Sequence, residues 1–156
     1  MALQIETGGI RIRYTIKDYV PSREDDWFGQ WYRCDYSFLS GDWLSYSKTD
    51  DEVFLCREVE KLEKVLSALL DDKLNEPVTI SCVEPDYTFI LYPKRDLRKD
   101  PHYTYISPGN EFADIYLEWK IRFWDQGLTD NYLTVTLKRE EIVLLRDYLS
   151  SVIGGA

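Results

Sequence analysis

Val53-Phe54-Leu55-Cys56-Arg57-Glu58 returns later in the chain as Val135-Thr136-Leu137-Lys138-Arg139-Glu140, with Val, Leu, Arg and Glu in the same places. Leu62 and Leu144 continue the match downstream. Each copy reads as a strand that runs straight into a helix. The recurrence points to two half-domains in tandem, each of antiparallel strands followed by a helix, although shared helix-start chemistry explains so short a match equally well.

Outward from these two segments the hydrophobic period settles the helices. Val59, Leu62, Leu66, Leu69 and Leu70 fall on one helical face, with Glu60 and Lys64 spaced as an i,i+4 pair on the other, and Pro77 closes the stretch. Arg139 to Val152 repeats the pattern with Ile142, Leu145, Leu149 and Val152, and Gly154-Gly155 lies beyond. Strand signals fill the rest. Ile10, Ile12, Tyr14 and Ile16 alternate with polar residues up to Pro21-Ser22, and Trp31 to Leu39 pairs with Trp43 to Lys48 across Ser40-Gly41-Asp42. Val78 to Val83 and Tyr87 to Tyr92 flank Glu84-Pro85-Asp86 as a second hairpin. Lys94 to His102 reads as a polar loop, and Phe112 to Trp124 as the longest strand, returning through Gln126-Gly127 into Tyr132 to Leu137. Strands outnumber helices and the links are short. The expected class is α+β, antiparallel sheet with two amphipathic helices, residues 1–156 forming one domain.

Hydrophobic residues are 44% of the chain and aromatics 15%, enough for a real core and for rings on a contact surface. Lys and Arg number 19 against 28 Asp and Glu, a net charge of −9. That field repels phosphate backbones and anionic membranes, so direct nucleic-acid or membrane binding is not expected, and a basic protein fits better as a partner. The same acidity also serves plain solubility. Cys34, Cys56 and Cys82 lack the close spacing of metal or redox motifs and read as reduced, mostly buried thiols. With no leader-like start and no membrane-length apolar run, a cytoplasmic location is expected.

Catalytic chemistry finds no support. His102, the only histidine, lies in a polar loop without a nameable nucleophile or orienting partner, and too few His and Cys are available for a zinc site. Glu24-Asp25-Asp26 and Asp50-Asp51-Glu52 lack the alternating spacing and central glycine of a calcium loop. Gly8-Gly9 is too short for a phosphate loop. No metal, cofactor or enzymatic activity is expected. What remains is a surface. Glu24, Asp25 and Asp26 stand beside Trp27, Phe28 and Trp31, and Asp42-Trp43 leads towards Asp50, Asp51 and Glu52. Rings beside charge of one sign are what an electrostatically steered interface uses. Trp31 and Trp43, at strand starts, are read as core, whereas Trp27 stands open between core and surface. The expected partner-binding residues are Glu24, Asp25, Asp26, Trp27, Trp31, Asp50, Asp51 and Glu52.

The order of features resembles the WapI-type immunity proteins of bacterial polymorphic toxin systems. An early alternating strand is followed by a charged turn into the box Asp26-Trp27-Phe28-Gly29-Gln30-Trp31, a hairpin, a helix, further strands, and a closing strand and helix at Tyr132 to Val152. The box is the specific part. An extended loop around Lys94 to Asn110, and Lys138 in place of an Asp or Thr cap, depart from the pattern. The resemblance implies a protein that binds and neutralises a cognate toxin domain, often a nuclease, and acidity would suit a partner built to hold nucleic acid. The alternative is a small accessory domain with a ligand pocket lined by Tyr and Trp, which a deep enclosed aromatic cavity would favour.

Overall fold

A computed structural model describes residues 1–23 and 30–155. Its first hairpin reaches further back than the alternation at Ile10 indicated. Leu3–Thr7 (β1) pairs antiparallel with Ile10–Ile16 (β2), Thr7 opposite Ile10 and Leu3 opposite Tyr14. Gly8 and Gly9 make the turn with φ of +56° and +79°, and a two-residue turn of this kind needs positive φ at both central positions. Glycine-glycine between alternating Leu3, Ile5 and Ile10, Ile12 was the readable signal for β1.

Cys34–Ser40 (β3) and Leu44–Asp51 (β4) complete a four-stranded antiparallel sheet in the order β1-β2-β3-β4, and Cys56–Leu70 (α1) follows. The second half begins with Val78–Ser81 (β5) and Tyr87–Tyr92 (β6). The short pair Arg95–Asp96 (β7) and Phe112–Ala113 (β8) interrupts it before Tyr116–Trp124 (β9), Leu128–Lys138 (β10) and Arg139–Gly154 (α2). The second sheet runs β5-β6-β9-β10 across neighbours. With β7 and β8 set aside, the halves match strand for strand: a four-stranded meander, then a helix. The tandem reading of the sequence holds at the level of topology.

The inner faces of the two sheets meet through rings. Phe38 lies 5.5 Å from Trp119 at 81° and Tyr87 lies 5.2 Å from Trp119 at 87°, edge-to-face arrangements that satisfy the ring quadrupoles. Tyr14 and Tyr36 stack on each other and reach Tyr87 from the first sheet. The helices close the remaining side. α1 buries Val59, Leu62, Leu66 and Leu69, and α2 buries Ile142, Leu145, Tyr148 and Leu149. The helices pack together, and each also reaches the other half, α1 against β6 and α2 against β1. The Ile16 backbone N–H donates to Tyr148 Oη at 2.9 Å, and Ser150 Oγ donates to Glu63 at 2.9 Å. One core therefore draws on both halves.

Several expectations change in place. Val53 to Cys56 is not a strand: only Leu55 bridges, to Trp31, and Glu58 reaches back to the Leu55 N–H to start α1. Phe112 to Trp124 breaks between β8 and β9, and the 11-residue β10 is longer. The polar loop from Lys94 contains β7 and a single 3₁₀ turn, Leu97–Lys99. Leu62 and Leu145 are buried as their helix faces indicated, whereas Leu144, the counterpart of Leu62 in the repeated motif, is 49% exposed, so the two copies of the motif do not present the same leucine to the core. Trp43 is 67% exposed, since it belongs to the Gly41 turn rather than to the inward rows of β4. Glu60 accepts from Tyr19 Oη at 2.6 Å and from Ser22, so its carboxylate anchors the segment before the acidic box rather than serving Lys64.

Candidate partner-binding surface

Four of the eight expected contact residues, Glu24, Asp25, Asp26 and Trp27, lie outside the described residues. The other four share one end of the first sheet. The Tyr32 N–H donates to the Phe54 carbonyl at 3.3 Å, and the Cys56 N–H donates to the Gln30 carbonyl at 2.7 Å. These bonds run residues 30–32 antiparallel to 54–56 and so bring Trp31 beside the stretch that follows Glu52. Trp31 is half-buried; Tyr32 next to it is wholly buried and stacks on Phe54.

The carboxylates here are organised by two cations. Lys17 Nζ lies 2.7 Å from Asp50 and 2.8 Å from Asp35, while Arg33 pairs with Asp18 and comes within 3.8 Å of Asp50. The Asp50 N–H also donates to Asp35 at 2.9 Å, fitting its positive φ of 52°. The hydrogen bond from Lys17 holds the Asp35 carboxyl below its ordinary range, and the bond from Arg33 does the same for Asp18. Asp51 accepts from Tyr36 Oη at 2.7 Å, and Glu52 is exposed, its charge adding to the field around Arg33. Five carboxylates around two cations leave this end negative. Exposed pairs of this sort contribute little stability, but they fix where the charge sits.

Just behind lies a buried polar pair that the sequence did not signal. Trp124 Nε1 donates to Asp86 Oδ2 at 2.7 Å, and the Trp124 N–H donates to Tyr46 Oη at 3.2 Å, linking the sheets. Asp86 is 5% exposed and its Oδ1 has no partner among the described residues. Burial pushes its pKa up to about 6 against the bond from Trp124, with nearby Asp51 and Glu84 adding to the rise.

Elsewhere the chemistry is sparse. Cys34, Cys56 and Cys82 are free and buried, and burial pushes the Cys34 thiol up to about 12, which makes it a poor nucleophile. His102 Nδ1 sits 2.9 Å from Asp100 with its ring in solvent. No three His, Cys, Asp or Glu side chains gather as metal ligands among the described residues. The interior lined by Tyr14, Tyr32, Phe54, Trp119 and Tyr148 leaves only about 10 Å³ open to water, room for about one molecule at most. The rings that suggested a ligand pocket are packed against one another as core.

At the far end of the second sheet the sequence reading missed a group of rings. Tyr92 stacks on Tyr116 at 4.3 Å and 12°, and Phe112 lies under Lys94 and Arg98, each 5.3 Å from its centroid. Tyr103, Tyr105 and Phe112 are 46%, 77% and 52% exposed. Tyr103 and Tyr105 follow directly on the stretch read as a polar loop, Lys94 to His102, while Tyr92, Phe112 and Tyr116 stand in stretches read as strand.

This is an α+β scaffold of two matching halves with a packed interior and charged, ring-bearing ends. Residues 3–154 match the WapI-like immunity protein family, and the chain belongs to it. Membership brings a toxin-immunity role, in which the chain binds a cognate toxin. No curated protein matches the chain. No helix among the described residues is long and apolar enough to cross a membrane.

Proposed function

We propose that this chain neutralises a basic toxin domain, a nuclease being the activity that best suits its acidity, by binding it in the cytoplasm through the acidic, aromatic-bearing end of its first half. The contact residues are Glu24, Asp25, Asp26, Trp27 and Trp31 together with Asp50, Asp51 and Glu52. The observation that carries this reading is the set of carboxylates around Lys17 and Arg33 beside the half-buried Trp31, in a chain matched to an immunity family over nearly its whole length. The carboxylates speed encounter with a cationic partner, and buried rings slow its departure.

Association kinetics with the toxin domain encoded beside this gene test the reading. Raising salt from about 0.05 to about 0.5 M shortens the Debye length from roughly 14 Å to roughly 4 Å and should slow association markedly while leaving dissociation nearly unchanged. Asp25→Lys with Asp26→Lys should act on the association rate. Trp27→Ala should speed dissociation and cost about 2 kcal/mol or more if that ring is buried in the complex. An association rate indifferent to salt and to the lysine substitutions, with Trp27→Ala silent, moves the contact elsewhere; no binding at all removes the toxin reading.

A further inference from the structure

Asp86 ends the turn between β5 and β6, at the seam where the two sheets meet. Its backbone carbonyl accepts from the Arg122 N–H at 2.8 Å and its Oδ2 from Trp124 Nε1 at 2.7 Å, while the Trp124 N–H donates to Tyr46 of β4. Its Oδ1 is buried with no partner among the described residues. The bond to Trp124 needs only an acceptor, which the side-chain amide of an asparagine supplies without a charge. A buried carboxylate with one oxygen unpartnered costs stability once it ionises, and carboxyls perturbed in this way gather at functional sites. The charge is the part of this residue that the fold does not need.

The groups that face Asp86 supply no counter-charge. From the first sheet come Tyr46 and, at the end of β4, Asp51; the β5–β6 turn brings Cys82 and Glu84; β6 brings Tyr87; and β9 brings Trp124 and the backbone of Arg122. Burial raises the Cys82 thiol and the Tyr46 and Tyr87 hydroxyls, so all three stay neutral where Asp86 titrates, at about 6. The charged neighbours are both carboxylates, Asp51 and Glu84, and each adds to the rise that burial causes. Asp51 ties this seam to the acidic end. It accepts from Tyr36 Oη at 2.7 Å, the Tyr36 ring lies 6.1 Å from that of Tyr46, and Asp50 beside it is the carboxylate that Lys17 and Arg33 approach. A cation arriving at Asp51 offsets its charge and so eases the ionisation of Asp86. Linkage is reciprocal, so ionised Asp86 strengthens the hold on that cation.

We propose that Asp86 is a proton-linked part of the toxin-binding end: a cationic toxin segment settling at Asp51 draws the proton off Asp86 into solvent, and the complex loosens in acid. This rests on the immunity reading above and adds regulation by pH to it. The test compares the affinity of wild type and Asp86→Asn for the toxin domain encoded beside the gene, at about pH 5 and about pH 7.5, the ratio at each pH cancelling titration of the toxin itself. Circular dichroism confirms that each variant is folded. D86N should bind like wild type in acid, where Asp86 is protonated, and several-fold more weakly at the higher pH, where wild type has lost stability relative to it. A residue that merely holds Trp124 gives the same affinity ratio at both pH values. Calorimetry near pH 6 in two buffers of different ionisation enthalpy should show wild type releasing more proton on binding than D86N does. In the free chain, followed by carbon-13 NMR, Asp51→Asn should lower the pH at which the Asp86 carboxyl titrates. A constant affinity ratio, equal proton release, or a midpoint that Asp51→Asn leaves in place overturns the proposal while the immunity reading stands, and a wild-type chain that does not bind overturns both.

Discussion

Replacing Asp86 by asparagine should change the pH dependence of stability in a direction the structure fixes. The carboxyl is 5% exposed, one oxygen accepts from Trp124 Nε1 at 2.7 Å, and the other has no partner among the described residues. Burial raises the group from its ordinary 3.8 to about 6. The folded chain thus holds this proton more tightly than the unfolded chain. The associated stability is fully present below about pH 3.8 and is lost as pH rises through about 6. A rise from 3.8 to about 6 corresponds to about 2–3 kcal/mol of stability. The amide of D86N keeps an acceptor for Trp124 and cannot titrate. Urea melts of both proteins at intervals from pH 4 to 7.5 give the difference in unfolding free energy, in which Asp18, Asp35 and the other exposed carboxylates cancel. Wild type should lose about 2–3 kcal/mol relative to D86N across that window, whatever constant offset the new amide introduces. A difference that stays flat with pH would mean the carboxylate is solvated in the folded protein, and the inter-sheet link to Trp124 would have to be redrawn.

The two members of the repeated motif should respond differently to the same change. Leu62→Ala, at a buried site on the inward face of α1, should cost about 2–5 kcal/mol in urea melts, and a loss below about 1 kcal/mol would show that the α1 face is misassigned. Leu144→Ala, 49% exposed, should stay within about 0.5 kcal/mol of wild type by the same measurement. His102→Ala should leave toxin binding and thermal stability unchanged, since the ring pairs with Asp100 of its own loop and otherwise faces solvent; lost protection from the toxin by a variant that still folds would reopen the question of catalysis.

The α+β class, two amphipathic helices, the hairpins around Gly41 and Pro85, and the tandem of strands followed by helix were all legible in the chain. Each is written in local spacing: a period of two for Ile10 to Ile16, a period near 3.6 for Val59 to Leu70, and turn residues between. The break between β8 and β9 was not legible, because Phe112 to Trp124 keeps its β-rich character across the point where the chain leaves the sheet at Asp114. Net acidity was plain from composition. Its arrangement around Lys17 and Arg33 was not, since Lys17 and Asp50 come together only when β3 pairs with its neighbours on both sides.

Local pattern placed Leu145 in the core correctly but also assigned Trp43 there, and that assignment failed for a physical reason. Periodicity reports which residues share a face; it carries no information about which face another element will cover. Asp86 was merely a turn residue until β9 brought Trp124 against it, and the Tyr92–Tyr116 stack exists only because β6 and β9 pair across the whole 93–115 elaboration. The sequence by itself determined the elements, their faces and the sign of the charge. Tertiary structure decided which faces meet, which carboxylates are paired or buried, and where rings gather on the surface, because those depend on contacts between residues far apart in the chain, where local spacing has no influence.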